Sequence, residues 1–323
     1  MSQGHSLMEM RFPVTFLRSR MSLPRRAGIL FLLCLFTIFW CHRKEAWLCR
    51  KNSCGCETCI AEQRVSFWFD KRFNSSIQPL LTSYNQDIPQ DILLWWLKLQ
   101  LRKPAVAVAQ HQLFQRGIKS KPVQRMNSCR CQTCAVVGNS GNLIGSNYGK
   151  LIDSHGFVFR MNKAKTQGHE TDVGSKTTHH LMYPESARSL EPDVHLVLVP
   201  FKPRDLQWLE NAPWSKNLIQ ANWDKAAILH PGFLHYVHEV WAEGHGRYPS
   251  TGLLALVLGL HLCDQLSVFG YGMDARGNWH HYWEKNRGAA AFHFTGVHDA
   301  NFESGVIWQL ARVGKLQLYR GRP

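Results

Sequence analysis

From residue 129 to the C-terminus, short apolar segments of strand length alternate with segments of helical length. We predict strands at residues 135–137, 157–160, 195–199, 226–229, 265–269 and 315–319. The segment 250–263 is apolar nearly all round, which is typical of a buried helix. Such alternation predicts an α/β fold with a mostly parallel sheet and helices on both of its faces. A second apolar helix is expected at residues 91–101.

Two loops rich in glycine and asparagine directly follow predicted strands. They are residues 138–142 (GNSGN) and 270–272 (GYG). Parallel sheets bind ligands at the carboxyl ends of their strands, and glycine lets a backbone approach a ligand closely. Asparagine amides can also donate hydrogen bonds to phosphate or ribose. Either cluster alone is equally compatible with a simple turn.

The segment 245–252 (HGRYPSTG) places a helix-capping residue, Ser250 or Thr251, before the predicted helix. The N-terminus of a helix also attracts phosphate, because its N–H groups lack intrahelical acceptors. Simple capping explains the same residues without a ligand. The two interpretations stay open at this point.

Two further segments contain histidines suited to acid–base chemistry. In residues 278–284 (NWHHYWE) a histidine could donate to a phosphate, or the segment could be an aromatic surface loop. In residues 297–303, His298 precedes Glu303 by five positions, as an oriented base would, although such pairs also arise by chance. No Asp-x-Asp pair follows a predicted strand, so a metal-held diphosphate is not indicated.

Ten cysteines indicate either disulfides or metal sites. Two triplets share the spacing C-x-C-x2-C, beginning at Cys54 and at Cys129, and such triplets could bind zinc. In an oxidising compartment disulfides are favoured instead. The sequon at Asn74 and the position of eight cysteines after residue 41 both favour an oxidising lumen.

The N-terminal region contains an uncharged apolar run at residues 27–41, flanked on both sides by Arg or Lys. Fifteen residues fit a secretory signal or a short anchor. Because no small-x-small cleavage site follows, we expect an uncleaved signal anchor. The predicted organisation is a cytoplasmic tail (1–26), an anchor (27–41), a short stem (42–55) and a luminal catalytic domain (56–323).

The formal net charge of +15 favours anionic partners. The basic residues are dispersed and do not form a run with interleaved aromatics, so we expect no nucleic-acid binding. A nucleotide-sugar donor or an acidic membrane surface would use the same charge.

The order of these motifs resembles that of the animal sialyltransferase family. Segments CAVVGNSGN (from Cys134), IDSH (from Ile152), RMNKA (from Arg160) and TDVGSKTTHH (from Thr171) resemble its large sialyl motif. Residues 248–252 and 269–272 resemble the small motif, 281–284 (HYWE) the third, and His298-x4-Glu303 the very small one. The resemblance covers about residues 50–323. Within the family it is closest to α-2,3-sialyltransferases acting on Galβ1,3GalNAc.

The resemblance implies a variant GT-A, Rossmann-like fold and inverting, metal-independent transfer from CMP-sialic acid, without a cofactor. His281 matches the histidine that hydrogen-bonds the donor phosphate, and His298 matches the proposed general base. Gln100 and Tyr248 match positions that contact galactose, as does His298. The remaining donor-binding matches are Asn139, Asn162, Ser250, Thr251, Gly252 and Gly272.

The resemblance also implies three disulfides. They are Cys134–Cys263, Cys54–Cys59 and Cys56–Cys131. Cys49 and Cys129 are left over, and a fourth bridge between them is a conjecture. The stretch between Asp205 and Ala226 is about ten residues shorter than in the related enzymes, and it lacks a tyrosine that contacts the acceptor there.

The expected partners are CMP-sialic acid, a galactose-terminated glycoprotein or glycolipid, and the Golgi membrane. The expected location is that membrane, with the chain as a single-pass type II protein and its catalytic domain in the lumen. A non-catalytic luminal glycan-binding protein on the same fold is the rival class.

Overall fold

The chain divides into two compact units, residues 1–46 and 47–323. The computed structural model describes residues 28, 31–40, 54–63, 65–99, 130–211, 219–273, 280–285 and 296–321. In the first unit, residues 31–40 form a helix whose side chains are exposed. Among the described residues, no helix combines the length and the hydropathy needed to cross a bilayer. The predicted tail and residues 42–53 of the predicted stem lie outside them.

A parallel sheet of seven strands occupies the centre of the second unit. Its strands are β1 Thr133–Val137, β2 Phe157–Met161, β3 His179–Met182, β4 His195–Leu198, β5 Ala227–Ile228, β6 Gln265–Phe269 and β7 Gln317–Tyr319. Their order is β5-β4-β3-β2-β1-β6-β7, and every neighbouring pair is parallel. The predicted sheet is confirmed, and all six predicted strands are present, with ends shifted by at most two residues.

The seventh strand, β3, was not predicted, because His179 and His180 interrupt its apolar character. Both histidines are nevertheless buried. The ring of His179 stacks between Phe159 and His195, with ring centroids 4.8 and 4.9 Å away. Burial lowers the pKa of His179 to about 3 and that of His180 to about 4, so both rings are neutral and act as core aromatics.

Eight α-helices surround the sheet within the described part of this unit. They are α1 Phe67–Asp70, α2 Gln90–Lys98, α3 Gly149–Asp153, α4 Glu170–Val173, α5 Pro203–Asn211, α6 Pro231–Tyr236, α7 Thr251–Leu262 and α8 Ala300–Arg312. The helices predicted at 91–101 and 250–263 correspond to α2 and α7, and both predictions are confirmed. Helix α6 continues as a π-helical turn over Val237–Trp241.

The side chains of β1 alternate between two apolar clusters, one on each face of the sheet. Val136 packs in the cluster that contains α7, whose residues from Leu253 to Leu258 are all at most 1% exposed. Ala135 and Val137 pack on the other face, in a cluster that includes Ile152 of α3. Both faces are therefore covered by helices, as predicted for a parallel sheet.

Three disulfides lie in this unit, one local and two between segments distant in the sequence. They are Cys54–Cys59, Cys56–Cys131 and Cys134–Cys263. All three pairings implied by the family resemblance are confirmed. The alternative zinc interpretation of these cysteines is wrong, because a sulfur in a disulfide is not a thiolate ligand. Cys49 and Cys129, with the conjectured fourth bridge, lie outside the described residues.

Candidate active site

The strand order places a topological switch point at β1. Strands β2 to β5 extend from one side of β1, and β6 and β7 extend from the other. The loops after β1 and β6 meet there, since Gly138 N donates to Phe269 O (2.7 Å) and Ser140 N donates to Gly270 O (3.1 Å). A Cβ on Gly138 would lie 2.3 Å from Gly270 O, so this close approach requires glycine. Ligands of open α/β sheets bind at such a crevice.

A cavity of about 630 Å³ opens at this edge of the sheet. Nine residues predicted from the sequence line it: Asn139, Asn162, Tyr248, Ser250, Thr251, Gly252, Gly272, His281 and His298. The tenth, Gln100, lies outside the described residues. The structure thus brings together motifs separated by more than 150 residues in the chain.

Asn139 and Asn162 lie on the sheet side of the cavity. Asn139 donates from Nδ2 to Met161 O (3.4 Å), while its buried Oδ1 has no hydrogen-bond partner within the described part of the chain. Asn162 has a φ of 55° and accepts a hydrogen bond at Oδ1 from Ser186 Oγ (3.0 Å). An orphaned acceptor beside a cavity suits a ligand that supplies a hydroxyl or amino donor.

Ser250 is fixed by two other residues at the start of α7. Its Oγ accepts from Leu253 N (3.1 Å), so of the two N-cap candidates in the sequence it is Ser250, and not Thr251, that caps the helix. Its backbone N donates to Glu303 Oε1 (2.8 Å), and its hydroxyl donates to Glu303 Oε2. Glu303 is buried, which raises its pKa to about 7 although the bonds from Ser250 lower it. Glu303 therefore orients the helix start and is not placed as a base.

The N-terminus of α7 is directed at the cavity. The N–H groups of Thr251 and Gly252 have no intrahelical acceptor, because they precede the first helical hydrogen bond. Both residues line the cavity. Since α7 is twelve residues long, its dipole adds a positive potential at this end. The sequence left helix capping and anion binding open as two interpretations of these residues. The structure is compatible with both at once.

His281 lies opposite the β1 loop and pairs through its backbone with Ser140. Its Nδ1 is 2.7 Å from Glu284 Oε1, and its ring stacks on Trp283 with centroids 4.5 Å apart. Because a carboxylate only accepts, Nδ1 carries a proton, and the ring also donates from Nε2 when it is doubly protonated. These contacts hold the imidazole at the cavity wall.

His298 directly precedes the N-cap of α8, Asp299. Its Nδ1 lies 2.8 Å from Tyr248 O. A carbonyl oxygen cannot donate, so Nδ1 carries the proton and the neutral ring has its lone pair on Nε2. Burial lowers the pKa of His298, and the Tyr248 hydrogen bond offsets this only in part. A neutral imidazole of this tautomer is suited to accept a proton.

One wall of the cavity contains no residue predicted from the sequence. It is formed by Tyr183, Glu185, Ser186, Phe201 and Lys202. These residues follow the carboxyl ends of β3 and β4, so the rule that located the glycine loops would have found them. The residues after β3 were not evident from the sequence, because that strand was not predicted.

Comparison with known proteins identifies the family. The model of glycosyltransferase family 29 (sialyltransferase) matches residues 80–315. The chain is 49% identical over 284 residues to CMP-N-acetylneuraminate-beta-galactosamide-alpha-2,3-sialyltransferase 1 of Sus scrofa, covering 83% of this chain and 82% of that protein. It is 46% identical over 290 residues to the sialyltransferase 2 of the same name from Mus musculus, covering 86% and 82%.

Solved structures agree with this result. A crystal structure of a mammalian sialyltransferase matches with a TM-score of 0.75 at 48% identity, covering 84% of this chain and all of the other. A mammalian sialyltransferase in complex with Gal-beta-1-3GalNAc-ortho-nitrophenol matches with a TM-score of 0.74 at 47% identity, covering 83% of this chain and all of the other. This chain belongs to glycosyltransferase family 29, the sialyltransferases.

Proposed function

We propose that this protein transfers sialic acid from CMP-sialic acid to the 3-hydroxyl of a terminal galactose, with inversion at the anomeric carbon. One observation carries the proposal: a single cavity contains both a partly buried histidine with an accepting Nε2 and a helix N-terminus suited to an anion. The names of the related proteins in pig and mouse, as α-2,3-sialyltransferases, support the linkage.

In the proposed reaction, His298 is the general base. Its Nε2 takes the proton of the galactose 3-hydroxyl as the oxygen forms a bond to C2 of sialic acid. The hydrogen bond from Nδ1 to Tyr248 O fixes the tautomer that this step needs and stabilises the imidazolium that results. The bond between C2 and the phosphate oxygen breaks at the same time, and its electrons leave with CMP.

The departing CMP carries the phosphate charge, and two groups are placed to stabilise it. The N–H groups at the start of α7 and the Nε2–H of a protonated His281 would both donate to phosphate oxygens. Glu303 and Glu284 support these donors by holding Ser250 and His281. Asn139 and Asn162, which also line the cavity, would bind the rest of the nucleotide.

We propose that this transfer uses no metal ion. Glu284 and Glu303, the two glutamates beside the proposed phosphate-binding groups, are engaged by His281 and Ser250. Divalent cations on nucleotides are generally held by uncommitted carboxylates. The chain's own donors therefore replace the metal in this proposal.

The proposed acceptor is Galβ1,3GalNAc on a glycoprotein or glycolipid. The solved relative bound to a Gal-beta-1-3GalNAc compound supports this choice. Tyr248 and Gln100 are assigned to galactose by family resemblance, and the shortened stretch after Asp205 removes one further acceptor contact.

We also propose that the protein is a single-pass type II protein of the Golgi membrane. Eight of the residues in the helix at 31–40 are large, apolar and exposed, as an anchor requires. Three disulfides and an exposed sequon favour a luminal second unit. In that sequon, Asn74 Oδ1 accepts from Ser76 Oγ (2.7 Å). Loss of mass on glycosidase digestion of the natural chain, absent in Asn74→Gln, tests the topology.

The decisive test of the proposed reaction uses the full-length chain in detergent, with CMP-sialic acid and a panel of galactosides. We expect an α-2,3-linked product from the wild type and a loss of about 10²–10⁴-fold in rate for His298→Ala. His235→Ala is the matched control, because His235 packs against Trp95 and does not line the cavity. Full transfer by His298→Ala would refute the assignment of His298 as the general base. Glycan or CMP binding without any sialylated product from the wild type would instead support the rival, non-catalytic class.

A further inference from the structure

One end of the cavity has no assigned role, and a row of aromatic rings leads to it from the base. The ring of Tyr248 lies 5.1 Å from that of His298, Phe201 lies 4.8 Å from Tyr248, and Tyr183 lies 5.5 Å from Phe201. All four line the cavity. Sites for small molecules combine such apolar walls with a few fixed polar groups.

The fixed polar group at this end is an ion-pair network. Lys202 Nζ lies 2.6 Å from Glu185 Oε1 and 2.9 Å from Asp205 Oδ1. Asp205 is buried, and its Oδ2 also accepts from Lys202 N (3.1 Å). The side chain of Glu185 lines the cavity and is 59% exposed, whereas that of Lys202 is 28% exposed. The network is thus anchored in the core and presents a carboxylate outward.

Glu185 is held as an anion. Partial burial raises its pKa, but the hydrogen bond from Lys202, a backbone hydrogen bond and the charge of Lys202 together outweigh that effect, so the net pKa is lowered. Lys202 engages one of its oxygens, and a carboxylate has about four lone-pair sites. Glu185 therefore keeps the capacity to accept a hydrogen bond from a ligand, and it can only accept.

We propose that Glu185, positioned by Lys202, accepts a hydrogen bond from a hydroxyl of the acceptor disaccharide and so forms an acceptor subsite. The negative charge of Glu185 indicates which substrate occupies this end of the cavity. CMP-sialic acid brings a phosphate and a carboxylate, and a fixed anion would repel both, whereas the acceptor disaccharide is neutral and rich in hydroxyls. The inference rests on the proposed function, since it assumes that His298 marks the acceptor end of the cavity.

The test is steady-state kinetics of the full-length enzyme, with the acceptor and the donor varied separately. Glu185→Gln keeps the shape of the side chain and removes its charge. We expect the KM for Galβ1,3GalNAc to rise about tenfold, as for the loss of one charge-assisted hydrogen bond, and the KM for CMP-sialic acid to stay within twofold. Glu191→Gln, an exposed glutamate outside the cavity, should leave both constants unchanged.

Acceptors that lack single hydroxyls locate the contact. For the hydroxyl that Glu185 binds, the deoxy compound should bind the wild type more weakly than the parent disaccharide, and this difference should be smaller in Glu185→Gln, because the neutral amide oxygen of glutamine is a weaker acceptor than a carboxylate. An unchanged acceptor KM in Glu185→Gln overturns the proposal. A change in the donor KM alone also overturns it and assigns Glu185 to the donor.

Failure of the proposed function can be told apart from failure of this inference. If the wild type transfers and His298→Ala does not, the kinetics above test the inference alone. If the wild type does not transfer at all, the proposed function fails. Titration of the disaccharide into the enzyme with CMP then tests the inference directly: weaker binding by Glu185→Gln supports it, and equal binding refutes it. Thermal unfolding of each variant confirms that it is folded.

Discussion

Glu303→Gln should change how the stability of the fold depends on pH. Glu303 is 8% exposed, and both of its oxygens accept hydrogen bonds from Ser250. Burial raises its pKa from 4.5 to about 7, against the effect of those two bonds. Between these two pH values the folded chain therefore keeps a proton that the unfolded chain has released.

The sign and size of the effect follow from linkage. A carboxyl with a raised pKa destabilises the fold progressively as the pH rises from the unfolded pKa to the folded pKa. At 1.36 kcal/mol per pKa unit, the wild type should lose about 3 kcal/mol over this range through Glu303. Glutamine does not titrate, so the variant escapes this loss. It should instead show a pH-independent cost of about 1–3 kcal/mol for the poorer match to the two donors of Ser250.

The assay is urea unfolding of residues 47–323 with disulfides intact, at several pH values between 4.5 and 8, for wild type, Glu303→Gln and Glu191→Gln. Other titrating groups cancel in the difference between wild type and variant. We expect that difference to shift in favour of Glu303→Gln by about 3 kcal/mol as the pH rises, and to stay flat for Glu191→Gln. Parallel curves for wild type and Glu303→Gln would refute the assigned pKa.

Three further outcomes are expected. The acid limb of kcat/KM should lie below pH 6.5, because burial lowers the pKa of His298. Initial rates measured from pH 4.5 to 8 check this. An acid limb above pH 6.5 would contradict the role of His298 as the base. Gly138→Ala should lose about 1–3 kcal/mol of stability and bind CMP more weakly, since its Cβ would meet Gly270 O. Gly305→Ala, where a Cβ meets nothing within 4 Å, is the matched control in unfolding and calorimetry. Transfer should persist in excess EDTA after dialysis, and restoration of lost activity by a divalent cation would count against metal independence.

The parts of the fold that could be predicted are those in which local pattern and burial agree. Helix α7 was evident because nearly every residue in it is apolar and it lies against the sheet. Strand β3 was not, because the burial of His179 and His180 depends on partners distant in the sequence. Their neutral state is a property of the folded environment, and residue type alone does not reveal it.

The candidate site likewise has residues that could be predicted from the sequence and residues that could not. Its donor residues were predicted because they occur in motifs of recognised order. The role of Glu303 was not, since only the structure shows that both of its oxygens hold Ser250. Likewise, Glu185 and Lys202 are 17 residues apart and carry no motif, so their ion pair becomes visible only when β3 and β4 lie side by side.

The Cys56–Cys131 bridge has a consequence for how the chain withstands proteolysis. It spans 75 positions, so a single cut anywhere between residues 57 and 130 leaves the two fragments covalently joined. A cut between residues 41 and 48, in contrast, would fall outside every disulfide of the described residues. A chain cut between residues 57 and 130 would run as one band on a non-reducing gel and as two bands on a reducing gel. Under the proposed topology, only the second kind of cut would shed the catalytic unit from the membrane.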